Sequence, residues 1–311
     1  MKDSFKAVAG LIDNVSSVIS GKTEVIRLVV TAMLARGHVL LEDMPGVGKT
    51  MLARALARSL DCDFKRIQCT PDLLPVDVTG YNDPRSREFM PGPIFAQIVL
   101  ADELNRATPR TQSALLEAMG EGQVTVEGVT RMLPEPFFVI ATQNPIEHRG
   151  VNDLPEAQLD RFMMLLTPGY PAPEYEKQML QSRTTVDPLA SIKPVMDGEA
   201  LACLIALTPS IRILDPVIDY IVAIVQATRA SPLLQTGASP RAGLQLMRLA
   251  QAHALTEGRD YVIPDDVKSL AVHALSHRVV PASYSAEDDS VSDLKRRCVE
   301  QILADVRPPD L

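Results

Sequence analysis

Pro45-Gly46-Val47-Gly48-Lys49-Thr50 carries the densest chemical signal in the chain. It follows an apolar run, His38-Val39-Leu40-Leu41, and opens a helical stretch from Lys49 to Leu60. Glycines at a strand-to-helix junction let backbone N–H groups approach phosphate oxygens, and the helix N-terminus adds partial positive charge. Lys49 then reaches the β- and γ-phosphates of a nucleotide, and the Thr50 hydroxyl is placed to ligate Mg²⁺. The strict pattern has glycine where this chain has Asp43. The alternative is an ordinary glycine turn with a solvated lysine.

Ile98-Val99-Leu100-Ala101-Asp102-Glu103 is the matching second half. A buried strand would deliver two carboxylates to the carboxyl edge of a sheet, where open α/β folds bind ligands. Asp102 fits the Mg²⁺-side carboxylate, and Glu103 fits the group that orients and deprotonates an attacking water. Alone, such a pair is an ordinary polar strand end; the phosphate loop in the same domain favours chemistry. Asn144, in Ala141-Thr-Gln-Asn-Pro145, either holds that water and senses the γ-phosphate or starts a turn. Arg161 either stabilises developing phosphoryl charge or forms a salt bridge to Asp160 or Glu156. Arg241 follows a Ser239-Pro240 helix start, where the macrodipole opposes a cation. It therefore faces an anion or is a surface arginine.

The elements that must position these groups follow from periodicity. Phe5, Val8, Leu11, Val15 and Val18 repeat at helical spacing, with Gly21 as a stop. A second helix spans Thr23–Arg36, ended by Gly37. Strand-like runs occur at His38–Leu41, Phe64–Gln68, Ile98–Ala101, Phe137–Thr142 and Phe162–Leu166. Five apolar strands interleaved with helices predict a parallel sheet covered on both faces. Thr70–Pro93, rich in proline, is an ordered insertion or a mobile loop, and Gln123–Met132 is a hairpin turning at Gly128. Thr167–Pro173 is too proline-rich for a core element, and a linker runs from about Thr184 to Pro194.

The last third contains no convincing strand. Helices are expected at Asp197–Leu207, Asp215–Thr228, Ser239–Thr256, Pro264–Ala274 and Val291–Val306. Asp215-Pro216 and Ser239-Pro240 read as an N-cap followed by proline at the first helical position. The expected architecture is a three-layer α/β domain followed by a small helical domain.

With 31 Lys plus Arg against 39 Asp plus Glu, the net charge of −8 over 311 residues argues against a broad nucleic-acid surface. Apolar residues at 46% exclude disorder over most of the chain. No run approaches the roughly 20 apolar residues needed to span a bilayer. The N-terminus lacks the apolar run of a secretory signal, so a cytoplasmic protein without membrane insertion is expected. Cys62, Cys69, Cys203 and Cys298 lack metal-ligand spacing, and Cys62 and Cys69 are expected to pack. His273 and His277 read as surface or capping residues, and Lys65-Arg66 is no basic patch.

Together these segments resemble an AAA+ ATPase, specifically the MoxR family. The resemblance runs from about Ile19 to the final helices. It rests on Leu41–Thr50, Ala101–Ala107 with Thr111–Met119, Ala141–Pro145, Leu154–Phe162 and Ala238–Ala242. Glu-Asp before Pro-Gly is common in that family, which accounts for Asp43. The resemblance implies an α/β fold: an AAA+ three-layer αβα core over residues 1–185 with a five-stranded parallel sheet, then a small all-α lid over 195–311. It makes about 71–93 the helix-2 insert and about 123–132 the pre-sensor hairpin. Lys49 and Thr50 become Walker A, with Pro45, Gly46, Val47, Gly48 and Met51 completing the nucleotide-binding set. Asp102 and Glu103 become Walker B, with Thr50 and Asp102 on the metal. Asn144 matches sensor 1, Arg161 the arginine finger and Arg241 sensor 2.

The implied cofactors are ATP and Mg²⁺, and the implied assembly is a homo-oligomeric ring, a hexamer, in which Arg161 acts in trans. The implied activity is ATP hydrolysis driving remodelling, assembly or metal and cofactor maturation of a protein client, one with a von Willebrand factor A domain. A chelatase-type motor subunit lies near this reading. Tyr81 and Phe89 are the pore candidates. A nucleic-acid translocase stays open, opposed by the acidic charge. A non-hydrolytic nucleotide-gated scaffold also stays open, opposed by the intact Glu103.

Overall fold

The computed structural model describes residues 1–19, 21–42, 48–144, 152, 154–170, 173–182, 188–283 and 290–310. The chain opens with α1 (Lys2–Ser16), which buries Val8, Leu11, Ile12 and Val15 on one stripe, and α2 (Thr23–Leu34), buried along most of its length. Glycine does not stop α2. Arg36 takes the left-handed turn at φ 59°, and Gly37 is needed instead for close approach. A Cβ on Gly37 would lie 2.4 Å from the Met163 sulfur.

Next come β1 (Val39–Glu42), α3 (Lys49–Ser59) and β2 (Phe64–Gln68). The proline-rich stretch is ordered: α4 (Pro75–Thr79) leads into β3 (Gly80–Asn82), which pairs antiparallel with β4 (Phe89–Pro91). β5 (Ile98–Asp102) and α5 (Pro109–Glu121) follow, then the antiparallel pair β6 (Gln123–Val126) and β7 (Val129–Met132). β8 (Phe138–Gln143), α6 (Glu156–Leu159), β9 (Met164–Leu166) and α7 (Pro173–Ser182) complete the first part.

The main sheet has the order β2-β5-β8-β1-β9, and every pairing is parallel. Side-chain alternation splits the core in two. Val39, Leu41, Ile98, Leu100, Phe138 and Ile140 face α1–α3, while Leu40, Val99, Ala101, Val139 and Ala141 face α5. Helices therefore cover both faces, which is why the strands are continuous apolar runs.

The second part is helical: α8 (Gly198–Leu207), α9 (Asp215–Ala230), α10 (Pro240–Thr256), α11 (Pro264–Leu275) and α12 (Val291–Asp305). Asp197, Ser239 and Ser290 cap α8, α10 and α12 by accepting backbone N–H bonds. Asp215 does not cap α9. It is already helical, and Leu214 occupies the cap position without a side-chain bond. One pairing was not expected from sequence: β10 (Leu234–Thr236) runs antiparallel to β11 (Val280–Pro281). The expected linker is docked where it is described. Leu189 is fully buried, the Val195 N–H donates to the Ser59 carbonyl at 2.9 Å, and Asn14 donates to the Lys193 carbonyl at 3.0 Å. A buried leucine on a polar-looking stretch is what holds it down.

Candidate functional site

Parallel strands bring their carboxyl ends to one edge, and three of them build the site. β1 ends at Glu42, β5 at Asp102 and β8 at Gln143, with Glu42 beside Gln143 and Gln68 beside Asp102 in register. Pro45, Gly46 and Val47 lie outside the described residues. Gly48 caps α3 in a left-handed conformation at φ 93°, a backbone that L side chains rarely adopt. Lys49 and Thr50 are the first residues of α3, and Met51 packs against the core. The cap has no side-chain bond and the first turn has no acidic residue, so nothing in the helix offsets its N-terminal positive charge.

Asp102 and Glu103 are held by a compact network. The Thr142 hydroxyl donates to Asp102 Oδ1 at 2.7 Å and accepts the Glu103 backbone N–H at 2.8 Å. Glu103 itself sits at φ 57°, an uncommon conformation for a non-glycine residue. Its Oε2 accepts from Gln68 Nε2 at 2.9 Å and from Arg106 Nη1 at 3.2 Å. Arg66 Nη2 and Nε reach Asp102 Oδ2 at 2.5 and 3.1 Å, and the same guanidinium donates to Gln68. The Asn144 carbonyl accepts from Asn105 Nδ2 at 3.3 Å, next to this group.

Beside α3 lies an apolar slot lined by Ile19, Val25, Ile26, Leu41, Leu52 and Pro168, with Lys22, Gly48 and Lys49 at its rim. Lys22 Nζ donates to the Pro168 and Gly169 carbonyls and ties α2 to the segment after β9.

Arg161 and Arg241 make no contact with this edge network among the described residues. Arg161 forms neither expected salt bridge, because Asp160 pairs with Arg278 and Glu156 with Lys295. Arg161 Nη1 instead donates to the Leu116 carbonyl of α5 at 2.5 Å and lies against Gly120. Arg241 is exposed in the first turn of α10. Its charge contributes to lowering the pKa of the buried Arg278.

His273 and His277 are not surface residues. His277 is 2% exposed and pairs through Nε2 with the Phe162 carbonyl at 3.0 Å. Burial, then the neighbouring Arg278, holds its pKa well below the usual range. α11 packs against β9, so histidines on that side face the core. Cys69 is buried and its thiol is pushed up to about 12, mainly by burial. Among the described residues, no group of three or more His, Cys, Asp or Glu could hold a metal by itself. Thr50 and Asp102 are hard oxygen donors, which suits Mg²⁺ carried in with nucleotide phosphates.

Sequence reasoning missed Arg66, Gln68, Thr142 and the apolar slot. Gln68 and Thr142 gain meaning only from strand register. The slot combines α2, β1 and residues far downstream.

A nucleotide-type loop-to-helix junction next to paired carboxylates on a five-stranded parallel sheet defines the AAA class of ATPases. A family model described as "ATPase family associated with various cellular activities (AAA)" matches residues 38–164, and an AAA lid domain model matches residues 226–297. The Mycobacterium tuberculosis protein named Chaperone MoxR1 is 41% identical over 291 residues, covering 89% of this chain and 76% of that protein. Bacillus subtilis YeaC, itself uncharacterized, is 52% identical over 273 residues, 86% of this chain and 85% of that one. The crystal structure of a candidate ATPase from Cytophaga hutchinsonii superposes with a TM-score of 0.89 at 36% identity, covering 99% of this chain and 96% of that one. The chain belongs to the MoxR family of AAA+ ATPases.

Proposed function

We propose that this protein hydrolyses ATP and uses the energy for chaperone-like remodelling of a protein partner. The observation that carries the hydrolytic step is Thr142, which fixes Asp102 and the strained Glu103 side by side at the strand ends. Gly48, Lys49, Thr50 and Met51 of the α3 start, with Pro45–Val47, bind the phosphates, and the apolar slot takes the base. When bound, Mg²⁺ offsets charge on the β- and γ-phosphates, with Thr50 and Asp102 as its protein ligands. Glu103 orients and deprotonates the attacking water, and Asn144 places that water against the γ-phosphate.

Arg161 serves a neighbouring subunit in a ring, a hexamer, and Arg241 reaches the phosphates from the lid. The tether of Arg161 to α5, outside the carboxylate network, supports action in trans. The working units are a core over residues 1–185 and a lid over 195–311. Residues 71–93 and 123–132 form the client-facing insert and hairpin. Arg131 stacks on Phe89 and hydrogen-bonds Asn82, so the two hairpins act as one body. Phe89 is thereby engaged, leaving Tyr81, 47% exposed, as the aromatic available to a client. The name of the M. tuberculosis relative supports the chaperone role, and a von Willebrand factor A domain is the partner proposed.

Mg²⁺-dependent ATP turnover should be present in the wild type and lost in Lys49→Ala and Glu103→Gln. Equal turnover in all three would overturn the reading.

A further inference from the structure

We propose that Arg278 is a positioning residue that ties the lid to Arg161, so that the lid of one subunit sets how its arginine meets nucleotide on a neighbour. This rests on the trans role proposed for Arg161.

The contacts converge on the two residues flanking Arg161. Arg278 Nε forms an ion pair with Asp160 Oδ1 at 2.9 Å. Its Nη2 donates to the Phe162 carbonyl at 2.5 Å and lies 3.5 Å from the Asp160 carbonyl. Nη1 donates to the Ala274 carbonyl at 2.6 Å, closing the guanidinium onto the end of α11. His277 grips the same Phe162 carbonyl; because that oxygen only accepts, Nε2 carries the proton. The turn Ser276–Arg278 thus clamps Asp160-Arg161-Phe162 from both sides, through one planar cation and one neutral imidazole.

Stability alone is a poor explanation for this arrangement. The Arg278 side chain is 2% exposed, and burying a guanidinium is costly even when it is paired. An apolar residue in its place would pack the lid without that cost, but could not fix the backbone on either side of Arg161. Burial lowers the Arg278 pKa to about 10; Asp160 opposes that shift and Arg241 adds to it. Arg278 therefore remains a cation at neutral pH. The physical chain runs from the end of α11 through Arg278 to Asp160 and Phe162, and so to Arg161.

Arg278→Lys tests this, because lysine keeps the charge for Asp160 but cannot span three acceptors as a planar fork. Asp160→Asn is the second variant. Each is measured for thermal melting, assembly, and KM and kcat for ATP. The expected result is an assembled ring, KM within about twofold and kcat down at least about tenfold, a fraction of what a transition-state arginine contributes.

Mixed rings then locate the defect. Lys49→Ala subunits, inactive themselves but with Arg161 correctly held, should restore turnover per Arg278→Lys site. Lys49→Ala/Arg161→Ala subunits should not. Unchanged kcat, or a loss that Lys49→Ala subunits fail to restore, overturns the inference while leaving hydrolysis intact. Failure of both Arg278→Lys and Asp160→Asn to fold also overturns it in favour of a purely structural role. A wild type without turnover overturns the hydrolysis reading, and this inference with it.

Discussion

Replacing Thr142 with valine removes one hydroxyl and almost nothing else. Thr142 is 2% exposed, so water cannot take over its two bonds. The hydroxyl donates to Asp102 Oδ1 at 2.7 Å and accepts from the Glu103 N–H at 2.8 Å. A hydrogen bond to a charged group contributes about 1.5–3 kcal/mol and a neutral one about 1 kcal/mol, so the clamp is worth about 2.5–4 kcal/mol. That is comparable to or larger than the roughly 1–3 kcal/mol cost of holding a residue such as Glu103 in a sparsely populated backbone region. Without the clamp, Glu103 is expected to relax, moving its carboxylate from the position proposed to orient water. If half of the lost energy appears in the barrier, kcat falls about 10- to 30-fold. The melting temperature falls by roughly 4–6 °C for a chain of 311 residues. Steady-state Mg²⁺-ATPase assays and thermal melts on Thr142→Val and Thr142→Ser measure both effects. Serine keeps the hydroxyl and should retain most of each. Wild-type kcat in Thr142→Val would refute the reasoning, because it would mean Glu103 needs no external hold.

Three further outcomes follow from particular residues. Gly48→Ala places a Cβ on a residue at φ 93°, a backbone that L side chains rarely adopt, although no described atom would lie within 4 Å of it; nucleotide affinity should fall by about fivefold or more, read by titration with a fluorescent ATP analogue. His38 is buried between the Met119 carbonyl and the Val139 N–H, and burial lowers its pKa from 6.5 to about 4. The unfolded chain binds the extra proton first, so stability should fall as pH drops from about 6.5 to 4, by up to about 1.4 kcal/mol per unit for this group. Urea unfolding at several pH values should show a shallower dependence in His38→Gln. Glu42 accepts from Gln143 of β8 and from Ser292 of α12, both at 2.9 Å, and so joins the phosphate-loop strand to the lid. Ser292→Ala should loosen α12 specifically, seen as faster amide hydrogen exchange at its first turn while the sheet stays protected.

The sheet and the carboxylate pair were legible because buried parallel strands are locally apolar and place their polar ends at one edge. Val39–Leu41, Val99–Ala101 and Val139–Ala141 announce themselves within a few residues. What escaped the sequence depends on distant contact. Arg66 and Lys65 look alike, yet only register with β5 puts Arg66 on Asp102. Thr142 reads as one more β-branched strand residue until β8 is placed beside β5. His277 and Arg278 read as a polar helix end because the surface that buries them lies over 100 residues earlier in the chain. β10 and β11 are three and two residues long, too short to show a period, and β11 ends in proline. The docked stretch around Leu189 carries too few apolar residues to register as core.

The strand order gives the site a reason to be where it is. β5 lies between β2 and β8, so the residues at its carboxyl end have neighbours on both sides. Asp102 uses both: one oxygen takes the Thr142 hydroxyl from β8, and the other takes Arg66 from β2. Glu103 does the same through its N–H to Thr142 and its carboxylate to Gln68. An edge strand would offer only one such side, leaving two adjacent carboxylates to repel each other with half the compensation. A cation held by Asp102 Oδ2 would compete with Arg66, whose side chain is 46% exposed and lies on β2 at the sheet edge. The Thr142 side is buried and cannot yield. Under the hydrolytic function proposed above, a cation at Asp102 would displace Arg66 of β2 while the Thr142 bond to the Glu103 N–H is kept, holding the proposed base in place.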